Sequence, residues 1–234
     1  MEYTHRKEKI CGIVVIYFPI LNQLVKLIKS ISCQVDEIVI VDNTPEIETK
    51  GGCVDEIDFN NVTYIKNNEN LGVSLAHNLG LAWARDHGCS FALLLDQDSY
   101  PMDGMIKALL HGYYELLKNG VRVAAVGPCF RDERMSESTA FIKFRGFRLI
   151  RTKCGKDNEE FIEADYLISS GSLIPIDILD EIGDMNESLF IDYIDIEWGL
   201  RAKREGYKIY GVCAAKMIHS LSDSIKQYWF FGKR

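Results

Sequence analysis

At 234 residues, 47% of them hydrophobic and 26% charged, the chain is long enough for one large domain or two small ones and carries a real core. A net charge of -7 excludes a nucleic-acid partner held by a general basic field, though not a local basic patch. No stretch is apolar for long enough to span a bilayer, and the charged start MEYTHRKEKI lacks a secretory apolar core, so the protein is expected on the cytoplasmic side, free or resting on a membrane.

Ile10–Phe18 is an apolar, β-branched run and reads as the first strand, ended by Pro19. Leu21, Leu24, Val25, Leu27 and Ile28 then recur at helical spacing up to about Cys33. Glu37–Val41 is the second strand, followed by Asp42-Asn43-Thr44-Pro45. This alternation is the βαβ rhythm of a parallel sheet. Asp42 has two readings. It is good turn chemistry before a proline, and it is also a strand-tip carboxylate able to accept a hydrogen bond from a base or ribose.

Glu46–Asp58 reads as an acidic loop and Val62–Ile65 as a short third strand. The turn-rich segment Asn67–Gly72 precedes a helix over Val73–Asp86, with Leu75, Leu79, Ala82 and Trp83 on one face. Gly72 lets backbone N–H groups at that helix start approach an anion such as a diphosphate, although ordinary capping uses glycine too.

Phe91–Leu95 is an apolar run that reads as a buried parallel strand. Asp96 and Asp98 follow where the strand leaves the sheet, the edge at which open α/β sheets bind ligands. Two carboxylates there repel each other, and a divalent cation relieves that; hard oxygen ligands suit Mg2+ or Mn2+. The competing reading is a solvated turn with Asp98 as a helix cap. Pro101 suits the first turn of a helix spanning about Met102 to Leu117.

Val121–Val126 is a further strand. Arg131–Lys156 is basic and irregular, with one strand expected in it. It suits a phosphate or membrane surface, but such a run more often marks a solvated face. Phe161–Ser169 and Leu173–Ile176 have strand character around the small polar turn Ser169–Ser172, and Asp177–Ile182 begins a short helix. Ile191–Tyr207 carries Asp192, Asp195 and Glu197 ahead of Arg201, Lys203 and Arg204. This charge order fits a helix macrodipole from about Asp195, and it also offers a general base. Lys208–Val212 is the last strand, and Ala215–His219 leads into Ser220. The histidines His5, His77, His87 and His111 take the ordinary structural reading. The tail Tyr228–Phe231 reads as a docking or membrane-touching segment, or the truncated start of something longer. The seven cysteines, Cys11, Cys33, Cys53, Cys89, Cys129, Cys154 and Cys213, form no C-x-x-C pair and read as reduced thiols, neither a disulfide frame nor a zinc site.

Taken together, VVIYFP, IVIVDNT, NNENLGVSLAHNLGLAWA, LLLDQDSYP, ISSGSLIP, LFIDYIDIEWGLRAKREGY and the late His219-Ser220 resemble the inverting family 2 glycosyltransferases of GT-A fold, particularly their rhamnosyltransferase branch. The segments run in the family's order from about Ile13 to Ser220. The resemblance implies an α/β fold: a Rossmann-like, mostly parallel sheet flanked by helices with a smaller mixed-sheet acceptor half. In that scheme residues 1–100 are the nucleotide-binding half, 101–220 the acceptor half and 221–234 a tail.

The same resemblance assigns roles. Tyr17 and Pro19 lie along the nucleotide base and Asp42 recognises it. Asn70 and Gly72 line the nucleotide-sugar pocket. Asp96 contacts ribose or metal, and Asp98 holds Mg2+ or Mn2+ on the diphosphate, with His219 a third metal contact. Gly171 and Ser172 border the sugar or acceptor, and Asp195 is the catalytic base with Glu197 beside it. The implied partners are a dTDP- or UDP-sugar donor and a saccharide or lipid-linked acceptor, with peripheral membrane contact and no nucleic acid. Two other classes compete. A nucleotidyltransferase usually shows a Gly-rich basic loop where IYFPILNQ stands here. A non-catalytic nucleotide-sugar or partner-binding module is the other.

Overall fold

The computed structural model describes residues 8–46, 60–131, 140–146, 148–155 and 159–219, with the backbone alone described for Arg131 and His219. The expected Glu46–Asp58 loop beyond Glu46, Cys53 and the aromatic tail lie outside the described residues. The first half alternates strand and helix as the apolar pattern predicts: β1 (Ile10–Ile16), α1 (Leu21–Ile31), β2 (Glu37–Asp42), β3 (Val62–Lys66), α2 (Val73–Asp86) and β4 (Phe91–Asp96). β5 (Ser99–Pro101), α3 (Met105–Lys118), β6 (Val123–Arg131), β7 (Phe141–Arg145) and β8 (Arg148–Thr152) follow. The chain then forms β9 (Phe161–Ala164), β10 (Leu173–Pro175), α4 (Leu179–Ile182), α5 (Ile194–Arg204) and β11 (Lys208–His219).

Among the described residues one nine-stranded sheet has the order β3-β2-β1-β4-β10-β6-β11-β5, with β9 on β11. β1 to β4 are mutually parallel, in the 3-2-1-4 order of a nucleotide-binding half. β1 is buried along its whole length. Cys11, Ile13 and Val15 join the core on one face, and Ile10, Val14 and Ile16 join the core on the other. A strand covered on both faces has no polar side to show, which is why its sequence is continuously apolar.

β10 breaks the parallel pattern. It lies antiparallel between β4 and β6, with Leu173 opposite Leu93 and Pro175 opposite Phe91. Its incoming turn, Ser169–Ser172, therefore arrives at the outgoing end of β4. This one reversal brings a segment from late in the chain to Asp96.

Several expectations are corrected. Pro101 does not start a helix: it ends β5, paired with Met217, on an edge strand where a missing N–H is tolerated. α3 starts later, at Met105, after Gly104 at φ 75°. Residues 131–156 hold a hairpin, β7 with β8, rather than one strand. On α2 the buried face is Ala76, His77, Gly80, Leu81 and Ala84, while Ala82 is exposed; small side chains let the helix lie close to the sheet and push its larger apolar groups to the margin. The cysteines are not all reduced thiols. Cys154 and Cys213 form a disulfide with Cα atoms 5.4 Å apart. They stand 59 residues apart in sequence, and only the antiparallel docking of β9 on β11, continued by Cys213 N–H donating to the Glu160 carbonyl at 2.9 Å, brings them together.

His77 takes its structural reading in an unusual form. It is fully buried, and neither ring nitrogen meets a hydrogen-bond partner among the described residues. Burial lowers its pKa to about 4 from an ordinary 6.5. The unfolded chain takes up a proton below pH 6.5 that the folded chain refuses until about pH 4. The stability that neutral His77 permits is therefore complete above pH 6.5 and is lost as pH falls through that window, by at most about 3 kcal/mol. In urea unfolding, His77→Leu is expected to be more stable than the parent, with the gap widening from pH 7.5 to pH 4.5. A constant gap means that His77 is not the titrating group.

Candidate active site

Parallel strands end on the same edge, and register fixes which residues meet there. Ile16 pairs with Asp42 and Val15 with Asp96, so the tips of β2, β1 and β4 stand side by side. Tyr17 and Gln97 tie two of these tips together: Tyr17 N–H donates to Gln97 Oε1 at 2.8 Å, and Gln97 Nε2 donates to the Tyr17 carbonyl at 3.2 Å. The Tyr17 ring is half exposed and meets Phe18 edge-to-face at 4.6 Å. Pro19 follows, half-buried.

Asp96 is the electrostatic centre. Its backbone N–H donates to Ser170 Oγ at 3.1 Å, and the Ser170 and Ser99 hydroxyls share a 2.5 Å hydrogen bond. Both serines are buried. The Asp96 carboxyl is pushed up to about 7, first by burial and then by the negative charges of Asp98 and Asp195. The two carboxylates singled out from distant parts of the sequence thus act on the same third group. Both therefore lie within electrostatic range of Asp96.

Asp195 stands in the first turn of α5, where the exposed backbone N–H groups favour a negative charge. Ser169 Oγ donates to its Oδ1 at 2.6 Å. Leu94, Leu167, Met185 and Trp198 line the same small cavity. Their apolar surface explains why burial raises the Asp195 pKa, against the opposing pull of Ser169. Glu197, two residues further along the same helix, is engaged elsewhere: it takes Arg201 Nε at 3.0 Å and Arg201 Nη2 at 2.8 Å. Arg201 also donates to the Ile182 and Asp184 carbonyls, each at 2.8 Å. Glu197 therefore anchors the segment joining α4 to α5.

The nucleotide-side residues are braced by the protein itself. Asp42 is buried, accepting from the Tyr64 hydroxyl and from Thr44 N–H at 2.8 Å. Asn43 donates to the Gly72 carbonyl at 3.0 Å and accepts from Asn67 Nδ2 at 2.8 Å. Asn70 accepts from Gly72 N–H at 3.0 Å. Gly72 has φ 81°, and a Cβ there would lie 2.6 Å from the Phe190 carbonyl oxygen. The close approach that this glycine permits is made by Phe190, whose carbonyl takes Val73 N–H at 2.7 Å. The expected anion approach at Gly72 thus meets a protein chain already in place.

In the Ser169–Ser172 turn the serines beside the expected residues are the ones that touch the acids. Gly171 has φ 84° and donates its N–H to the Leu94 carbonyl at 2.7 Å; Ser172, buried, donates its hydroxyl to the Ile168 carbonyl at 2.7 Å. These two seat the turn. Ser169 and Ser170, with Gln97 and Asn43, are the site residues that sequence reasoning missed; the only signal was the small polar composition of the turn itself. The backbone of His219 pairs with Ser99, next to Asp98 in sequence. Among the described residues no group of three His, Cys, Asp or Glu side chains is placed to hold a metal ion.

Because the Asp96 pKa is raised, the folded state holds a proton that the unfolded state releases above its ordinary 3.8. Stability from protonated Asp96 is present at low pH and is lost as pH rises toward about 7. Asp96→Asn, neutral at every pH, is expected to raise Tm at pH 8 by the equivalent of up to a few kcal/mol, with the gain vanishing near pH 4. A variant no more stable than the parent at pH 8 means that burial beside Asp98 and Asp195 does not hold Asp96 protonated.

The family model for Glycosyl transferase family 2 matches residues 13–183, well over half of the chain. The dTDP-rhamnosyl transferase RfbF of Shigella flexneri is 27% identical over 216 residues, covering 92% of this chain and 70% of that protein. The low-salt glycan biosynthesis hexosyltransferase Agl10 of Haloferax volcanii is 26% identical over 191 residues, covering 80% of this chain and 59% of that protein. A crystal structure of GalNAc-T7 with UDP, GalNAc and Mn2+ superposes with a TM-score of 0.74 at 14% identity, over 93% of this chain and 45% of that one. The superposition shows the GT-A fold, and the family match reaches from β1 through the Asp96 strand to the Ser169–Ser172 turn. The chain belongs to glycosyltransferase family 2, and it is a transferase of GT-A architecture.

Proposed function

We propose that this chain transfers a sugar, L-rhamnose in our reading, from a dTDP- or UDP-linked donor to a hydroxyl of a saccharide or lipid-linked acceptor, with inversion at the anomeric carbon. The observation that carries the reading is the joint action of Asp98 and Asp195 on Asp96. The rhamnosyl preference is supported by the similarity to the Shigella dTDP-rhamnosyl transferase over 92% of the chain. In this reading residues 1–100 serve the donor, 101–220 the acceptor, and the tail 221–234 follows them. The enzyme works in the cytoplasm, at the inner membrane face when its acceptor is lipid-linked. No helix among the described residues is long and apolar enough to cross a membrane.

A divalent cation fits the site on charge: burial and then the charges of Asp98 and Asp195 oppose ionisation of Asp96, and a cation relieves it. Asp98, with Asp96 beside it, would hold Mg2+ or Mn2+, and His219 would add a nitrogen. When bound, such an ion neutralises charge on the departing diphosphate. The protein residues do the rest. Ser169 holds Asp195 Oδ1 at 2.6 Å, which leaves Oδ2 to receive the acceptor proton. The raised pKa of Asp195 makes it a stronger base than an ordinary aspartate. Gln97, bonded to Tyr17, keeps the tips of β1 and β4 in register beside the donor. Holding donor and acceptor in line lowers much of the remaining barrier. Asp195 acts on the acceptor and not on the sugar, so a single displacement results.

Asp195→Asn is expected to lower transfer by roughly 10²- to 10⁴-fold. Stabilisation by dTDP with Mn2+, read as a thermal shift, should remain. Near-normal turnover by this variant means that Asp195 is not the base. Absence of stabilisation by any nucleoside diphosphate, in the parent as in the variant, points instead to an interaction module.

A further inference from the structure

We propose that Phe190, Ile191 and Tyr193, two rings and an aliphatic side chain, form a fixed apolar platform that takes the apolar face of the acceptor saccharide beside Asp195; the proposal rests on the sugar-transfer reading above. The three are 53%, 63% and 72% exposed, within four consecutive residues. Single exposed apolar residues are ordinary, but a contiguous run of large ones marks a contact surface.

The backbone beneath them is pinned. Ser74 Oγ donates to the Leu189 carbonyl, Val73 N–H to the Phe190 carbonyl at 2.7 Å, and Glu197 N–H to the Tyr193 carbonyl at 2.9 Å. The segment is thus strung between the start of α2 and the start of α5, and its side chains are held out to solvent. Tyr193 also sits at φ 67°, ψ 4°. Glycine adopts that conformation without strain, whereas a tyrosine there is held against its preference. A bulky ring kept in such a place, with little of it covered by the protein, indicates a use for the ring.

Position and charge select the occupant. Tyr193 is two residues before Asp195. Phe190 packs on Gly72, whose carbonyl is held by Asn43 at the tip of β2. The run therefore reaches from Gly72 at the start of α2 to the start of α5, which carries the proposed base. A pyranose presents C–H groups on one face, which suit an aromatic surface, and hydroxyls at its edge, which suit carboxylates. The exposed Asp192 inside the run, with Asp195 beyond it, disfavours an anionic lipid surface.

The test uses the full chain and methyl α-L-rhamnopyranoside as a soluble probe, followed by saturation-transfer NMR with and without dTDP. The parent should saturate the probe's ring C–H protons, and Tyr193→Phe should do the same. Tyr193→Gly should have an equal or higher Tm, because strain is relieved, yet bind the probe roughly fivefold to tenfold more weakly, the scale of one lost aromatic contact. Unchanged saturation in Tyr193→Gly, or none in the parent, overturns the platform. Sedimentation of the parent with phosphatidylglycerol vesicles that is lost in Tyr193→Gly, with probe binding unaltered, reassigns the patch to a membrane and also overturns it. The dTDP thermal shift, recorded on the same samples, does not involve Tyr193; its absence in the parent counts against the sugar-transfer reading and leaves the saccharide result to stand separately.

Discussion

Burial of the Asp96 carboxyl beside two like charges is the constraint on which the site depends. Asp96 is held where burial and two like charges oppose its ionisation. Such an arrangement persists only because the core on both faces of the sheet overdetermines the backbone beneath it. The strain is electrostatic and local, and a cation with a diphosphate would discharge it. The same feature makes the site a stability liability without ligand and a binding opportunity with one.

The sheet delivers these groups by topology rather than proximity in sequence. Parallel pairing of β1, β2 and β4 puts Asp42, Tyr17 and Asp96 on one edge. The antiparallel insertion of β10 then returns the Ser169–Ser172 turn to that edge. Ser170 fixes the Asp96 backbone, and Ser169 fixes the Asp195 carboxylate. Two adjacent hydroxyls thereby couple the end of β4 to the start of α5. Small side chains on neighbouring positions of one turn can do this; larger ones would separate the two acids.

Around that centre, the residues with the most conspicuous sequence signals serve as braces. Asp42 steadies the turn after β2, Gly72 admits Phe190, and Glu197 clamps Arg201 to the α4–α5 connection. The large apolar side chains before α5 are left presented to solvent on an anchored backbone.

The sequence by itself determined the βα rhythm of the first half, because strands buried on two faces must be apolar throughout and α1 must show its buried face at helical spacing. It also determined that Asp96, Asp98 and Asp195 lie at element ends, since a carboxylate closing an apolar run or opening a helix has few other places to be. It did not determine the strand made by Pro101, the small-residue face of α2, the hairpin of residues 141–152 or the Cys154–Cys213 bond. Each of these depends on a partner far along the chain. Tertiary structure alone decided which serines touch the acids and which expected residues are engaged elsewhere. A hydroxyl or a glycine looks the same in sequence whether it faces a ligand, a carbonyl or a neighbouring ring, and only the packing of distant segments selects among them.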